Sequence, residues 1–246
     1  MAALFISDLH LDSDEPAGVA WFCDFIEHRA RDAEILYILG DLFEAWIGDD
    51  DTDAGKRPVL AALKSLTAAG VACYFMHGNR DFLIGSGFAE ATGCRLLGDY
   101  ETVSLYGERV LLTHGDLLCT DDTAYMQLRG TLRDPAWQRE FLAKSLDQRR
   151  ATALEMRRMS QQAVAGKAEE IMDVNRRSVE QTMRDFGVHT LLHGHTHRPA
   201  IHRFELDGEP ATRIVLGAWH DSGSVVRWDE SGYELQSVPR PEEASL

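Results

Sequence analysis

The stretch Ala-Leu-Phe-Ile-Ser-Asp-Leu-His, residues 3–10, is a short apolar run followed at once by an aspartate and a histidine. Four more runs, at residues 35–39, 71–76, 110–113 and 190–192, have the length and the β-branched or aromatic content of buried strands. Between the first three runs, residues 19–31 and 58–69 show helical spacing of apolar side chains. Strands that alternate with helices predict a layered α/β fold with a largely buried sheet.

Each of the five apolar runs is followed by side chains that can bind a metal ion. Open α/β sheets place ligands at the carboxyl ends of their strands, and residues i and i+2 of an extended segment point to the same side. The donors are carboxylate, amide and imidazole without thiolate, which suits Mn²⁺, Fe²⁺, Co²⁺ or Zn²⁺ in a catalytic site. Seven ligands are too many for one ion, so a shared carboxylate would complete two sites. The seven are Asp8, His10, Asp41, Asn79, His114, His195 and His197.

Each motif alone has an ordinary structural explanation. A single D-x-H or G-D commonly forms a turn, and H-G-H-T-H at residues 193–197 also occurs as a surface cluster. Five such motifs in order, each after a predicted strand, favour one common site instead.

This ordered pattern resembles that of the calcineurin-like metallophosphoesterase superfamily, which is D-x-H, G-D, G-N-H-D/E, H and G-H-x-H. The resemblance covers residues 1–199. It implies a four-layer αββα sandwich with a dinuclear metal centre that hydrolyses phosphate esters or anhydrides. It also implies how the ligands divide: Asp8, His10 and His197 at one ion, Asn79, His114 and His195 at the other, with Asp41 bridging.

One position departs from the superfamily pattern. Most members have His after Gly-Asn, and that His helps to protonate the leaving group or to steady the transition state; this chain has Arg80. Arginine is never deprotonated in proteins, but its planar fork can clamp phosphate oxygens. A phosphate leaving group, with a second pKa of about 6, departs without a proton. We therefore predict Arg80 as a catalytic residue and a phosphoanhydride, not an alkyl phosphoester, as the bond that is cleaved.

The runs GDLFEAWIGDD at residues 40–50 and GNRDFL at residues 78–83 resemble, more narrowly, a pyrophosphohydrolase family of bacterial lipid A biosynthesis. This resemblance extends over nearly the whole chain. It implies a lipid-linked nucleotide substrate, two Mn²⁺ ions and a peripheral location on the cytoplasmic face of the inner membrane. We expect attack at the α-phosphorus. By this resemblance the substrate-binding residues are Asn79, Arg80, Asp122, Tyr125, Ser160, Val164, Lys167 and His195.

The charge is unevenly distributed along the chain. The formal net charge of -15 argues against nucleic acid as a partner, yet residues 125–167 carry nine cations and four anions. This basic stretch lies in a segment of helical composition, at about residues 120–187, which we predict to be a cap inserted into a single domain spanning residues 1–246. The cations suit an anionic substrate and an anionic membrane surface, and a solvated helical face is the alternative. No obligate protein partner is indicated.

Four further features of the sequence lead to predictions: the C-terminal hairpin signals, the cysteines, an acidic run and the apolar residues of the cap. Hairpin signals beyond residue 199 predict a second, mostly antiparallel sheet. The four widely spaced cysteines indicate reduced thiols and a cytoplasmic protein. The acidic run at residues 49–53 is expected to be mainly a solvated loop. Apolar residues of the cap would line an acyl-chain chamber, or would pack in the core: Trp137, Phe141, Leu142, Leu146, Leu154, Met156 and Met159.

Three alternative functions are compatible with parts of the sequence. Another metallophosphoesterase, such as a nucleotide phosphodiesterase or a phosphatase, would be expected to keep His at position 80 and to lack the basic helical insertion. A nuclease would need a basic surface, which the strongly acidic remainder of the chain disfavours. A metal-dependent scaffold without turnover would be expected to have lost part of the ligand set, which is complete here.

Overall fold

The structure, a computed structural model, describes residues 2–165 and 173–241. Its strands are β1 (Ala3–Ile6), β2 (Ile35–Ile38), β3 (Ala72–Phe75), β4 (Arg95–Leu96), β5 (Tyr100–Leu105), β6 (Glu108–Thr113), β7 (Thr190–His193), β8 (Ala200–Leu206), β9 (Glu209–Val215), β10 (Ser222–Asp229) and β11 (Gly232–Pro239). Its α-helices are α1 (Pro16–His28), α2 (Arg57–Ala68), α3 (Ser86–Thr92), α4 (Thr123–Leu132), α5 (Pro135–Leu142), α6 (Leu146–Ala165) and α7 (Arg176–Phe186). Within these described ranges, no helix has the length and apolar character needed to span a bilayer.

The strands form two sheets. The first has the order β11-β10-β1-β2-β3-β4 and the second β5-β6-β7-β9-β8. Strands β1, β2 and β3 run parallel, as do β6 and β7. The carboxyl ends of each parallel group therefore lie at one edge of their sheet, and the loops that carry the predicted ligands leave the sheets side by side.

Three buried clusters separate four layers. Between the sheets lie large side chains such as Phe5, Tyr37 and Trp228, with the rings of Phe5 and Tyr37 stacked 4.9 Å apart. Helices α1 and α2 bury their apolar faces on the outer side of the first sheet, and α7 buries Val179 and Met183 on the outer side of the second. Each large apolar side chain buried in this way contributes about 1.5–3 kcal/mol. The predicted four-layer αββα sandwich is confirmed.

The expectation for the C-terminal strands is wrong in part. Hairpins form as predicted, but only β8 and β9 join the second sheet, whereas β10 and β11 extend the first sheet beside β1. Strand β9 also runs parallel to β7. In β10, Val225 faces the α1 layer while Val226 faces the space between the sheets, and both are fully buried. Hairpin signals specify local pairing, but they do not specify which sheet a hairpin joins.

The segment predicted as a helical cap contains α4, α5, α6 and α7, of which α7 packs on the second sheet. The extent of a cap at about residues 120–187 remains a prediction. Trp137 stacks on the buried Phe141 at 5.1 Å, and both pack against the main core. These two side chains therefore serve as core contacts between α5 and the sandwich, which is the alternative considered for them above.

The acidic run near residue 50 is more than a solvated loop. The side chain of Asp51 is only 3% exposed and pairs with Lys56 at 2.7 Å and with Arg150 of α6 at 2.9 Å. Asp49 accepts hydrogen bonds from the backbone N–H groups of Gly85 and Gly87, at 3.0 and 2.8 Å. These carboxylates attach the loop to α6 and to the start of α3, so the expectation of simple solvation is wrong for them.

Candidate metal centre

The backbone turns sharply at most of the predicted ligands. Five of the seven have a left-handed conformation, with φ of 57° at Asp8, 50° at His10, 52° at Asp41, 67° at His195 and 56° at His197. This region is uncommon for residues other than glycine and costs of order 1–3 kcal/mol each when the surroundings impose it. Such strain clusters at functional sites, and here it follows the ends of β1, β2 and β7.

The first group of donor atoms comes from the two paired motifs. Nε2 of His197 lies 3.3 Å from Oδ1 of Asp8 and 3.2 Å from Nε2 of His10. Together these three side chains can offer one ligand atom each to a common ion. Oδ1 of Asp8 is buried and accepts no hydrogen bond from the described residues, whereas Oδ2 accepts one from the backbone N–H of His195 at 2.8 Å.

The second group surrounds the amide of Asn79. Its Oδ1 lies 3.0 Å from Nε2 of His114 and 2.9 Å from Nδ1 of His195. The two imidazole rings meet edge to face with centroids 5.0 Å apart. One oxygen and two nitrogens thus converge from the ends of β3, β6 and β7.

Asp41 lies between the two groups. Its Oδ2 is 3.8 Å from Nε2 of His10 in the first group and also 3.8 Å from Nε2 of His114 in the second. Its Oδ1 accepts a hydrogen bond from the backbone N–H of Arg80 at 2.8 Å. The structure therefore brings all seven predicted residues together. Their division between two ions stays a prediction, since Asp8, Asp41 and His114 also place ligand atoms close enough to share an ion.

Two histidines are held with a defined ring orientation. Nδ1 of His114 donates to the backbone carbonyl of Leu39 at 2.8 Å, and Nδ1 of His10 lies 2.9 Å from Oε2 of Glu44. A ring that donates from Nδ1 presents the lone pair of Nε2 to a metal ion, as histidine ligands usually do. In both residues Nε2 is the atom that faces Asp41.

The carboxylates and imidazoles shift one another's pKa values. Burial alone would lower the pKa of His10, but the Glu44 hydrogen bond and the Asp41 charge raise it to about 9. Burial and the neighbouring His114 lower the pKa of His195 to about 4. Burial would raise the pKa of Asp8, yet the surrounding histidines hold it well below its usual range.

The donor chemistry fits divalent metal ions. The set holds oxygen and imidazole nitrogen without thiolate, and a cation would supply the partner that the buried Oδ1 of Asp8 lacks. Two glycines leave room for the carboxylates of Asp41 and Asp8 in the site. A Cβ added at Gly78 would lie 2.1 Å from Oδ1 of Asp41, and one at Gly194 would lie 2.3 Å from Oδ2 of Asp8.

The predicted substrate-binding residues are distributed over the site and the nearby helices. Arg80 belongs to the metal-site loop, and its Nε is buried without a hydrogen-bond partner among the described residues. The Tyr125 ring lies 5.9 Å from that of His195, but its hydroxyl donates to Asp116 at 2.7 Å. The side chain of Asp122 caps α4 by accepting from the backbone N–H of Tyr125. The hydroxyl of Tyr125 thus already has a structural partner.

The remaining three predicted substrate residues are on α6 or after it. Ser160 lies on α6 and is half-buried, and Val164 lies near the end of the same helix. The side chain of Val164 and the whole of Lys167 lie outside what the structure describes. Their contact with substrate remains a prediction.

Sequence reasoning missed several charged residues that support the site. Glu44 contacts His10, and the fully buried Asp81 accepts backbone hydrogen bonds from Leu42 and Gly78 at 2.8 and 2.9 Å. Asp116 accepts from Arg129 at 2.7 Å. Each of the three carboxylates lies two or three residues after a predicted ligand, and this proximity was the available signal.

Comparisons with known proteins identify the family to which the chain belongs. A family model described as calcineurin-like phosphoesterase matches residues 1–199. A relative named UDP-2,3-diacylglucosamine hydrolase, from Enterobacter sp. (strain 638), is 51% identical over 239 residues, covering 97% of this chain and 100% of the relative. Proteins of the same name from Klebsiella pneumoniae and Serratia proteamaculans are each 50% identical with the same coverage. The chain belongs to the calcineurin-like phosphoesterase family, in the group that these hydrolases form.

Proposed function

We propose that this protein hydrolyses the pyrophosphate bond of UDP-2,3-diacylglucosamine to UMP and 2,3-diacylglucosamine 1-phosphate (lipid X), with attack at the α-phosphorus. The observation that carries the proposal is the convergence of six nitrogen- and oxygen-bearing side chains around Asp41, whose Oδ2 lies 3.8 Å from a histidine of each group. The names of the relatives, at 50–51% identity over nearly the whole chain, supply the substrate.

Two divalent ions, Mn²⁺ in this proposal, would be held by the seven residues. Asp8, His10 and His197 would hold one, Asn79, His114 and His195 the other, and Asp41 would contact both. When bound, the ions supply Lewis-acid polarisation of the phosphate and activation of the attacking water. The Nδ1 contacts of His10 and His114 keep Nε2 directed inward, so the donor set is arranged before an ion arrives.

Arg80 is the residue proposed to bind the reacting phosphate. Its backbone is fixed by the hydrogen bond to Asp41, while its side chain is 25% exposed and its Nε has no partner among the described residues. A guanidinium in this state can donate two hydrogen bonds to phosphate oxygens. It stabilises developing negative charge but cannot protonate a leaving group, which suits a bond whose leaving group is itself a phosphate.

The rest of the substrate would extend from the metal centre toward α4 and α6. Asn79 and His195 lie at the metal centre. The Tyr125 ring lies beside His195 and would offer an apolar face to the substrate. In this proposal Asp122, Ser160, Val164 and Lys167 bind the sugar and the groups attached to it, and Val164 can do so only by packing or through its backbone.

We also propose peripheral contact of α6 with the anionic cytoplasmic face of the inner membrane. Leu154 and Met159 of α6 are 69% and 59% exposed, and the side chain of Arg158 on the same helix is 61% exposed and pairs with Glu155 at 2.7 Å. Apolar and cationic side chains on one surface bind anionic bilayers. Leu154→Glu combined with Met159→Glu is expected to reduce sedimentation with phosphatidylglycerol vesicles; unchanged sedimentation would contradict this part.

The catalytic proposal is tested by ³¹P spectroscopy of the purified protein in ¹⁸O water. Three substrates are compared, each with Mn²⁺ and with chelator: UDP-2,3-diacylglucosamine, a UDP-sugar without acyl chains, and bis-p-nitrophenyl phosphate. The expected result is metal-dependent cleavage of the acylated substrate with ¹⁸O in UMP. Label in the lipid phosphate would overturn α-attack. Preferred cleavage of the phosphodiester would instead favour a nucleotide phosphodiesterase or phosphatase.

A further inference from the structure

Glu44 makes contacts with three different parts of the molecule. Its Oε2 lies 2.9 Å from Nδ1 of His10. Its Oε1 lies 3.0 Å from Nε of Arg157 on α6 and 3.7 Å from Nη1 of Arg80. The backbone N–H of Glu44 donates to the carbonyl of Leu11 at 3.0 Å. One carboxylate therefore contacts a residue of the metal site, the phosphate-binding arginine and a helix outside the sandwich.

Arg157 is itself fixed at two points. While its Nε contacts Glu44, its Nη1 donates to Oδ2 of Asp12 at 3.0 Å. Asp12 lies two residues after His10, in the loop that leaves β1. The guanidinium of Arg157 thus bridges the loop of Asp12 and the loop of Glu44, the same two loops that the contact between His10 and Glu44 connects.

The two carboxylate oxygens of Glu44 contact different partners. Oε2 faces His10, and Oε1 faces the two arginines. The side chain is only 12% exposed, so water competes weakly with these partners and their electrostatic interactions are stronger than at an open surface. With Oε1 held by Arg157, rotation of the carboxylate away from His10 would break both interactions at once.

We infer that Glu44 is a positioning residue that couples α6 to the metal centre, because it orients the His10 ring while Arg157 of α6 fixes its carboxylate. The inference rests on the proposed role of His10 as a metal ligand. It assigns α6 a second task besides contact with the substrate: the order of this helix contributes to metal affinity at the site of His10, and an ion at that site in turn stabilises the attachment of α6.

The test measures metal binding and helix order, not turnover. Mn²⁺ is titrated into the metal-free full-length protein by calorimetry, and Co²⁺ binding is followed by visible absorption. Loss of a carboxylate that orients a histidine ligand typically weakens metal binding about 10–100-fold. Glu44→Ala is expected to show this loss for one of the two ions, with a changed Co²⁺ spectrum. The second ion, held by the Asn79 group, serves as an internal control for folding.

Two further variants separate orientation from coupling. Glu44→Gln keeps an oxygen for His10 but loses the charge that holds Arg157, so it should weaken the ion several-fold, as Arg157→Ala does, and less than Glu44→Ala. Arg157→Ala should weaken the same ion several-fold in the wild-type background and have no further effect in the Glu44→Gln background. The matched control is Arg158→Ala, at a neighbouring position on α6 whose arginine pairs with Glu155. It should leave the metal affinity unchanged in both the wild-type and the Glu44→Gln backgrounds.

Limited proteolysis tests the reciprocal effect. Adding Mn²⁺ should slow cleavage within α6 in the wild type, and it should do so less in Arg157→Ala. The inference is overturned if Glu44→Ala and Glu44→Gln both bind two ions with wild-type affinity while His10→Ala loses one. If His10→Ala also binds both ions normally, it is the proposed metal site that fails.

Discussion

Arg149 allows a strong quantitative prediction about what attaches α6 to the sandwich. Its side chain is 4% exposed, and its Nη1 donates to the carbonyl of Ile47 at 2.8 Å while its Nε donates to that of Lys144 at 3.1 Å. It also pairs with Asp50, whose side chain is 63% exposed. The ion pair is the most visible of these contacts, but the exposure of Asp50 makes it the weakest.

The magnitudes follow from these environments. A hydrogen bond from a charged donor contributes about 1.5–3 kcal/mol, so Arg149→Ala should lower the free energy of unfolding by about 3–6 kcal/mol through the two carbonyls. Because Asp50 is largely exposed, water competes for its carboxylate, and an ion pair in that setting contributes about 0–1 kcal/mol. Asp50→Asn should therefore cost no more than that. Arg149→Lys should fall between them, because a single ammonium cannot reach both carbonyls and Asp50 in the same way.

The assay is urea unfolding followed by far-ultraviolet circular dichroism, with Arg139→Ala on the exposed face of α5 as control. The transition midpoint should shift strongly for Arg149→Ala and hardly at all for Asp50→Asn and the control. Equal destabilisation by Arg149→Ala and Asp50→Asn would refute the reasoning, because the ion pair would then carry the whole interaction.

Three further outcomes are expected. Asp41→Ala should reduce binding of both ions, whereas His10→Ala should reduce binding of one, as measured by metal content after gel filtration; equal losses would contradict the shared position of Asp41. Arg80→Ala should lower kcat on the pyrophosphate substrate by about 10²–10³-fold in steady-state assays with Mn²⁺, and an unchanged kcat would remove Arg80 from the reaction. Gly194→Ala should destabilise the protein by about 1–3 kcal/mol in urea unfolding, because its Cβ would meet Ser7 and Asp8, whereas Gly130→Ala in α4, with open space around it, should be neutral or stabilising.

The sequence predicted the strands that carry the site because their signal is local. An apolar run such as Ala3–Ile6 is buried on both faces and reads as a strand without knowledge of its neighbours. The parallel order of such strands then brings their carboxyl ends together. Strand β4, with two residues, and helix α3, with seven, are too short to leave a periodic pattern, and neither was predicted.

What the sequence did not provide is pairing between distant charged residues. Glu44 and Arg157 are far apart in the chain, and nothing in the local pattern of either one indicates the other. The acidic run near Asp51 was misjudged for the same reason, because its partner Arg150 lies on α6. The sheet joined by β10 depended on packing against both α1 and the second sheet, which local hairpin chemistry does not encode.

The position of β1 between β2 and β10 has a consequence for the order of folding during synthesis. β1 can pair with β2 early, but its other edge waits for β10, and the carbonyl of Asp8 receives its hydrogen bond from the backbone N–H of Trp219. These partners come from opposite ends of the chain, and such distant contacts form slowly. Asp8 is therefore the first predicted metal ligand to be synthesised but among the last to reach its final position. In a nascent chain that still lacks β10, Asp8 and His10 would follow a strand whose second edge is unpaired.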